Sequence, residues 1–314
     1  MRIFKTMIGI LLFSMILCSC GKEVSTNQNT KDENISVLEE AGETIENLAE
    51  GTEEQEPSWN VIGFALNSLP VVSPKATIDT EALKINQKLA GYAYERLTKK
   101  QKALFAFVIQ KRKKLDGSII ELAHANKDDV ERVVQAIILE DPYQYINIFY
   151  LSEKEESVYV GLLWQTQVSK KQKKKTEKAV KKILREIDGE SSEEIIRQIY
   201  DWCTTNIDYD LHAPHARDLY GAFVEKRCVC VGYAKAFRYL CSLKGIEVIC
   251  VPSKVHMWNY VQLADKWYAI DATNGKSGTT KYLLSGREIL SKESCVPDEK
   301  NFSFPILEKK SYDW

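Results

Sequence analysis

Arg227-Cys228-Val229-Cys230-Val231-Gly232-Tyr233-Ala234-Lys235-Ala236-Phe237 is the stretch on which the fold turns. From Cys230 onward, Tyr233, Ala234, Phe237, Leu240 and Cys241 recur at the spacing that puts side chains on one side of a helix. Lys244-Gly245 closes it, a basic last turn and then a glycine that can take the left-handed conformation. Three strand candidates follow, at Ile246 to Pro252, His256 to Leu263 and Trp267 to Ala272. A helix opening on a cysteine and followed by adjacent strands predicts an α+β fold, the helix packed on an antiparallel sheet.

The last two strands predict a hairpin. With Ala264-Asp265 as a two-residue turn, Leu263 faces Lys266 and His256 faces Thr273. Asp271 is then diagonal to His256 on the same face, with backbones ~7–8 Å apart. A slip of one residue would send the two side chains to opposite faces.

Three segments stand in order: Cys230-Val231-Gly232-Tyr233-Ala234, His256-Met257-Trp258-Asn259, and Trp267-Tyr268-Ala269-Ile270-Asp271-Ala272-Thr273. Together they resemble the transglutaminase-like superfamily of papain-type thiol enzymes, known by C-x-G-Y-A, H-x-W-N and W-Y-x-x-D-x-T. Asp208-Tyr209-Asp210 and Tyr220-Gly221 look like the lead-in of such domains, so the resemblance covers roughly Ile195 to Thr273. Two positions depart from the pattern. Val229 stands where many relatives carry Gly, and Asn274 where many carry Trp. The resemblance implies a papain-like core with Cys230 as nucleophile, His256 as its base and acid, and Asp271 as the group that orients the imidazole. A cysteine at a helix N-terminus suits that role, because the helix dipole and unpaired amides favour the thiolate. The implied reaction is attack of Cys230 on an amide carbonyl, then transfer of the acyl group to water or an amine. No cofactor and no metal are expected, and the acidic calcium-binding loop of animal transglutaminases is not apparent. The alternative is an inactive relative serving as a surface binding or assembly module. A solute-binding lipoprotein would need two lobes of alternating strands and helices.

Outward from this core, the N-terminus reads as an address. Arg2 and Lys5 precede an apolar run from Ile8 to Leu17, too short for a transmembrane span of ~20 residues. It ends in Leu17-Cys18-Ser19-Cys20-Gly21, which resembles the lipobox of bacterial lipoproteins and makes Cys20 the candidate lipidated residue, with Cys18 the weaker choice. Residues 1–20 are thus expected to be a lipoprotein signal peptide, and the cell surface the location. Residues 21–57 carry eleven acidic residues against Lys22 and Lys31 and no aromatic, the composition of a disordered, extended spacer.

Residues 58–190 predict a small α/β lobe and 191–314 the catalytic domain with a C-terminal extension. In the lobe, Asp116-Gly117 marks a turn, Asp128 to Leu139 a helix stopped by Asp141-Pro142, and Tyr145 to Leu151 and Val158 to Val168 two strands separated by a charged turn at Glu153 to Glu156. Ser191 or Ser192 with Glu194 predicts a helix N-cap short of a full capping box. The basic run Lys170 to Lys182 reads first as a solvated helix face, and second as a contact for anionic lipid or wall polymer. A net charge of −1 argues against a nucleic-acid partner; the expected surface location points to a protein, peptide or cell-wall peptide as substrate, and a monomer is the expected state.

Other chemistry-bearing residues have plainer readings. His212 and His215 lie in an irregular loop and read as solvent-facing or substrate-lining, and His124 has no partner pattern. Trp202, Tyr209 and Tyr220 read as core residues, one of which could supply an oxyanion donor. Cys241 and Cys250 read as core, and Cys228 as a thiol able to cap Cys230 in a reversible disulfide.

Overall fold

Residue-level signals account for most elements, and packing sets where they end. The computed structural model describes residues 91–313 apart from 116, 118, 124, 155–156, 276–282 and 289–295. The expected signal peptide, the lipidation candidate Cys20, the acidic spacer and His124 lie outside the described residues. All described residues belong to one unit, Pro70–Trp314.

The lobe holds α1 (Tyr92–Glu95), α2 (Lys99–Leu115), β1 (Ile119–Ala123), α3 (Lys127–Glu140), β2 (Gln144–Lys154) and β3 (Ser157–Gln167). Its three strands form an antiparallel sheet in the order β1-β3-β2. Gly117, at φ 71°, supplies the left-handed residue of the turn after α2. Helix α3 starts one residue before the expected Asp128, because Asn126 is the cap: its side chain accepts from the Asp129 N–H at 2.7 Å. Strand β2 takes in Glu153 and Lys154, which the charge pattern assigns to the turn, and Lys154 pairs with Ser157 of β3. Strand β1 escapes the sequence reading because it is five residues long, with Ile120 and Leu122 as buried hydrophobics, too short a run to show a period.

Next come α4 (Lys170–Glu186), α5 (Ser192–Asn206), β4 (Asp208–Tyr209), a π-helical turn (Gly221–Glu225), β5 (Arg227–Cys228), α6 (Cys230–Leu243), β6 (Val248–Pro252), β7 (Met257–Leu263) and β8 (Lys266–Ile270). Helix α5 opens on a complete capping box, where only a simple cap was expected: the Ser191 side chain takes the Glu194 N–H, and Glu194 returns the bond. Sheet β6-β7-β8 is antiparallel and carries α6 on one face. The short parallel pair β4–β5 has no counterpart in the sequence reading.

One apolar cluster runs from Ile137, Ile146 and Leu162 in the lobe to Val251, Trp258 and Tyr260 in the sheet, and Phe302 and Phe304 from the C-terminal segment join it. A second gathers α4, α5, α6 and β8 around Tyr200, Phe237 and Leu240. The free edge of β8 is covered: Ala269 and Ser285 exchange backbone hydrogen bonds of 2.8 and 2.7 Å, and Glu308 N–H donates to the Trp267 carbonyl at 2.8 Å.

Candidate active site

Cys230 is the first residue of α6. The residue before it, Val229, has extended backbone and offers no side-chain oxygen to the first turn, so no cap competes for the amides there. Val229 N–H instead donates to the Ala216 carbonyl at 2.9 Å, which pins the helix start to the loop before it. The glycine two residues into the helix is required by packing. A Cβ on Gly232 would lie 2.5 Å from the Cys228 Cβ, 2.7 Å from its Sγ and 2.8 Å from the Ala216 oxygen.

The hairpin delivers the other two groups. Ala264 and Asp265 both have positive φ, 48° and 61°, the pair of left-handed residues that matches strand twist in a two-residue turn. Leu263 pairs with Lys266 and the ladder continues to Asn259 and Ile270. His256 and Asp271 lie one residue beyond the strand ends, on the diagonal that this register predicts, with His256 Nε2 2.8 Å from Asp271 Oδ2.

Asp271 is held on every side. Its Oδ1 accepts from the N–H groups of Thr273 (3.0 Å) and Asn274 (3.3 Å), and Oδ2 also accepts from Asn274 Nδ2 at 2.9 Å. With Nε2 taken by Asp271, Nδ1 is the ring nitrogen left to meet a thiol. Burial alone would pull the imidazole down, but the hydrogen bonds to Asp271 and Cys230, and their charges, hold it up to about 11. The ring stacks on Trp258 (centroids 5.9 Å apart, 19° between planes), and Ser253 Oγ accepts from the His256 N–H at 3.0 Å.

Three residues take roles that the sequence reading did not give them. Asn274, marked there only as a departure, clamps Asp271. Asn259, buried on β7, donates through Nδ2 to the Ala234 carbonyl of α6 at 3.0 Å and to Ile249 on β6 at 3.3 Å, so it joins the cysteine helix to the histidine strand. Tyr145 comes from the lobe: burial pushes its phenol up, Arg217 beside it pulls back, and the Cys230 sulfur adds to the rise. Nothing in the sequence links Tyr145 to a cysteine so far downstream. Of the aromatics considered as oxyanion donors, Trp202 packs on Phe223, Tyr220 packs edge-on against His215, and Tyr209 is exposed.

His212 is exposed, but His215 departs from the solvent-facing expectation. Its Nδ1 lies 2.7 Å from the buried Asp218 carboxylate and its Nε2 2.7 Å from Gln172 Nε2 on α4. Cys203, Cys228, Cys241 and Cys250 are buried free thiols, and Cys228 packs against Gly232. Among the described residues no group of three or more His, Cys, Asp or Glu could hold a metal ion.

Residues 177–272 match the sequence model of the transglutaminase-like superfamily. They form a transglutaminase-like domain. The match begins inside α4 and ends just past Asp271. Kyphoscoliosis peptidase of Mus musculus is similar, 25% identical over 147 residues that make up 37% of this chain and 22% of the relative. The Homo sapiens protein of that name is 28% identical over 142 residues, 35% of this chain and 21% of its own length. The chain thus spans about a fifth of the length of these relatives. Among solved structures, a TGase aligns over 55% of this chain and 58% of its own at 14% identity, with a TM-score of 0.31. A structure of menin that reveals its binding site for Mixed Lineage Leukemia (MLL) protein aligns over 35% of this chain and 28% of its own, at 21% identity and a TM-score of 0.30.

Proposed function

We propose that this chain is a cysteine-dependent acyl-transfer enzyme that acts on amide bonds of extracellular protein, peptide or cell-wall peptide, tethered to the outer face of a bacterial membrane through lipid on Cys20. The observation that carries the chemistry is the His256 ring, held 2.8 Å from the Asp271 carboxylate and close enough to Cys230 for its thiol to act on the imidazole. A transglutaminase-like match over the same residues supports it, and the Leu17-Cys18-Ser19-Cys20 sequence supports the tether.

With His256 holding the proton, the Cys230 sulfur anion adds to the amide carbonyl carbon and a tetrahedral oxyanion forms. His256 gives its proton to the leaving nitrogen, the C–N bond breaks, and a thioester remains on Cys230. Water or an amine then attacks the thioester; His256 takes the proton from that acceptor, and the sulfur leaves as its anion. Asp271 keeps the ring oriented and balances its charge throughout.

Iodoacetamide labelling across pH, read by mass spectrometry, tests this without a known substrate. Cys230 is modified first at mildly acidic pH, ahead of Cys203, Cys228, Cys241 and Cys250, and loses that advantage in His256→Ala. Slow, uniform labelling of all the cysteines would favour a binding or assembly module over an enzyme.

A further inference from the structure

Helix α4 carries eight exposed cations between Lys170 and Arg185, against two exposed acids, Glu177 and Glu186. Its opposite face is in the core through Thr176, Val180 and Ile183. Among the described residues none of the eight is held in an ion pair. The pattern is one a merely solvated helix avoids. Lys170, Lys174, Lys178 and Lys182 form a row at four-residue intervals, so each repels the next. The first turn has lysines and no acid, which opposes the helix dipole.

The basic face leads to the candidate active site. Gln172 on α4 contacts His215 at 2.7 Å, the adjacent Ala216 carbonyl holds Val229, and Val229 precedes Cys230. Gln172 Oε1 is committed to the Ser169 N–H at 2.9 Å, so its Nε2 must be the atom donating to His215, which fixes this joint. Along the same path, Lys173 Nζ lies 4.7 Å from the Tyr143 ring centroid, and Arg217 Cζ 5.3 Å from that of Tyr145. Tyr143 and Tyr145 flank the buried Gln144 at the head of β2. Cations thus continue from the exposed helix onto two aromatic rings at the head of β2, the second of which, Tyr145, feels the charge of Cys230.

We propose that the exposed face of α4, continued by Lys173 and Arg217, is a subsite for an acidic stretch of a polypeptide substrate whose neighbouring amide bond reaches Cys230. The inference rests on the acyl-transfer reading above. The spacing fits: successive lysines of the row rise ~6 Å along the helix, and alternate side chains of an extended peptide repeat every ~6.6–6.8 Å. A polypeptide is favoured over a bilayer because the cations continue past the exposed face of α4 to Lys173 on Tyr143 and Arg217 on Tyr145, and α4 shows no exposed large apolar side chain to enter lipid.

The test uses the full-length chain in detergent. A (Glu-Ser)4 peptide carrying an iodoacetyl group at either end is compared with the same peptides in which Gln replaces Glu, and with free iodoacetamide. Cys230 alkylation is followed by mass spectrometry, and binding of fluorescein-labelled (Glu-Ser)4 by anisotropy. The Glu peptide should bind, and in at least one orientation alkylate Cys230 about tenfold faster than the Gln peptide at low salt. That advantage should fade toward ~1 M salt, where screening reaches ~3 Å, and collapse in Lys174→Glu/Lys178→Glu. Equal rates for Glu and Gln peptides, with Cys230 still singled out by iodoacetamide, overturn the subsite and leave the enzyme reading standing. Binding to phosphatidylglycerol vesicles that needs Lys174 and Lys178, without any preference for Glu peptides, makes the face a membrane contact and also overturns it. If iodoacetamide fails to single out Cys230 the enzyme reading falls, and anisotropy alone decides whether the basic face takes acidic peptide.

Discussion

At the scale of single residues, the site is organised around one carboxylate. Asp271 receives four hydrogen bonds, only one of them from His256; the others, from Thr273 and Asn274, prevent it from turning away. Asp271→Asn keeps the shape but removes the charge and disturbs the tautomer of the ring. It should lower kcat by roughly a thousand- to ten-thousandfold, measured on an amide substrate with the unfolding midpoint as control. The same pair leaves a mark on stability. Folding raises the His256 pKa from 6.5 to about 11, so the stabilisation from its proton is whole below about pH 6.5 and drains away as pH climbs toward about 11. Urea unfolding of wild type and Asp271→Asn should show a stability gap that shrinks across this window; a gap independent of pH would mean the proton is not held by Asp271.

At the scale of elements, what matters is how the cysteine helix is fixed to the histidine strand. Asn259 does this from inside the hairpin. Asn259→Ala leaves the Ala234 and Ile249 contacts unmade in a buried place, and a loss of ~1–3 kcal/mol in unfolding free energy is expected. Its second sign would be weaker selectivity of iodoacetamide for Cys230, because the helix start is no longer registered against His256. Gly232 acts at the other end. Helix propensity alone predicts a gain of ~1 kcal/mol for Gly232→Ala, but the contacts of 2.5–2.8 Å awaiting a Cβ reverse the sign. Thermal melting should therefore show a lower midpoint, and an unchanged or higher one would refute the packing argument.

At the scale of the whole molecule, the lobe and the candidate active-site region share a core and a buried ammonium. Lys235 on α6 donates to the Asp141 carbonyl at 2.8 Å and the Gln144 carbonyl at 2.5 Å, joining the end of α3 and the start of β2 to the helix of Cys230. Burial lowers its pKa from 10.5 to about 8. Lys235→Met strands two carbonyls and should cost ~1–3 kcal/mol near neutral pH. The wild type should then pull further ahead between about pH 8 and 10.5, where the unfolded lysine still binds a proton that the folded one has shed. A gap that stays level over that range would show that the ammonium is not under strain from burial.

Much of this was legible in the chain because it is local. Periodicity marked α6 and its glycine stop, the two-residue turn at Ala264-Asp265 set the register, and that register placed Asp271 beside His256, since a β-ladder translates counting along the chain into position in space. Even the basic run of α4 was readable as a helix face. Tertiary structure alone decided which distant groups meet. Tyr145 within electrostatic reach of the thiol, Asn259 under the helix, Gln172 on His215 and Lys235 between two carbonyls of the lobe all depend on how separate elements pack, and neither hydrophobic period nor turn chemistry carries that information. Asn274 lies between the two cases: it is near Asp271 in sequence, but only the folded loop turns its amide onto the carboxylate.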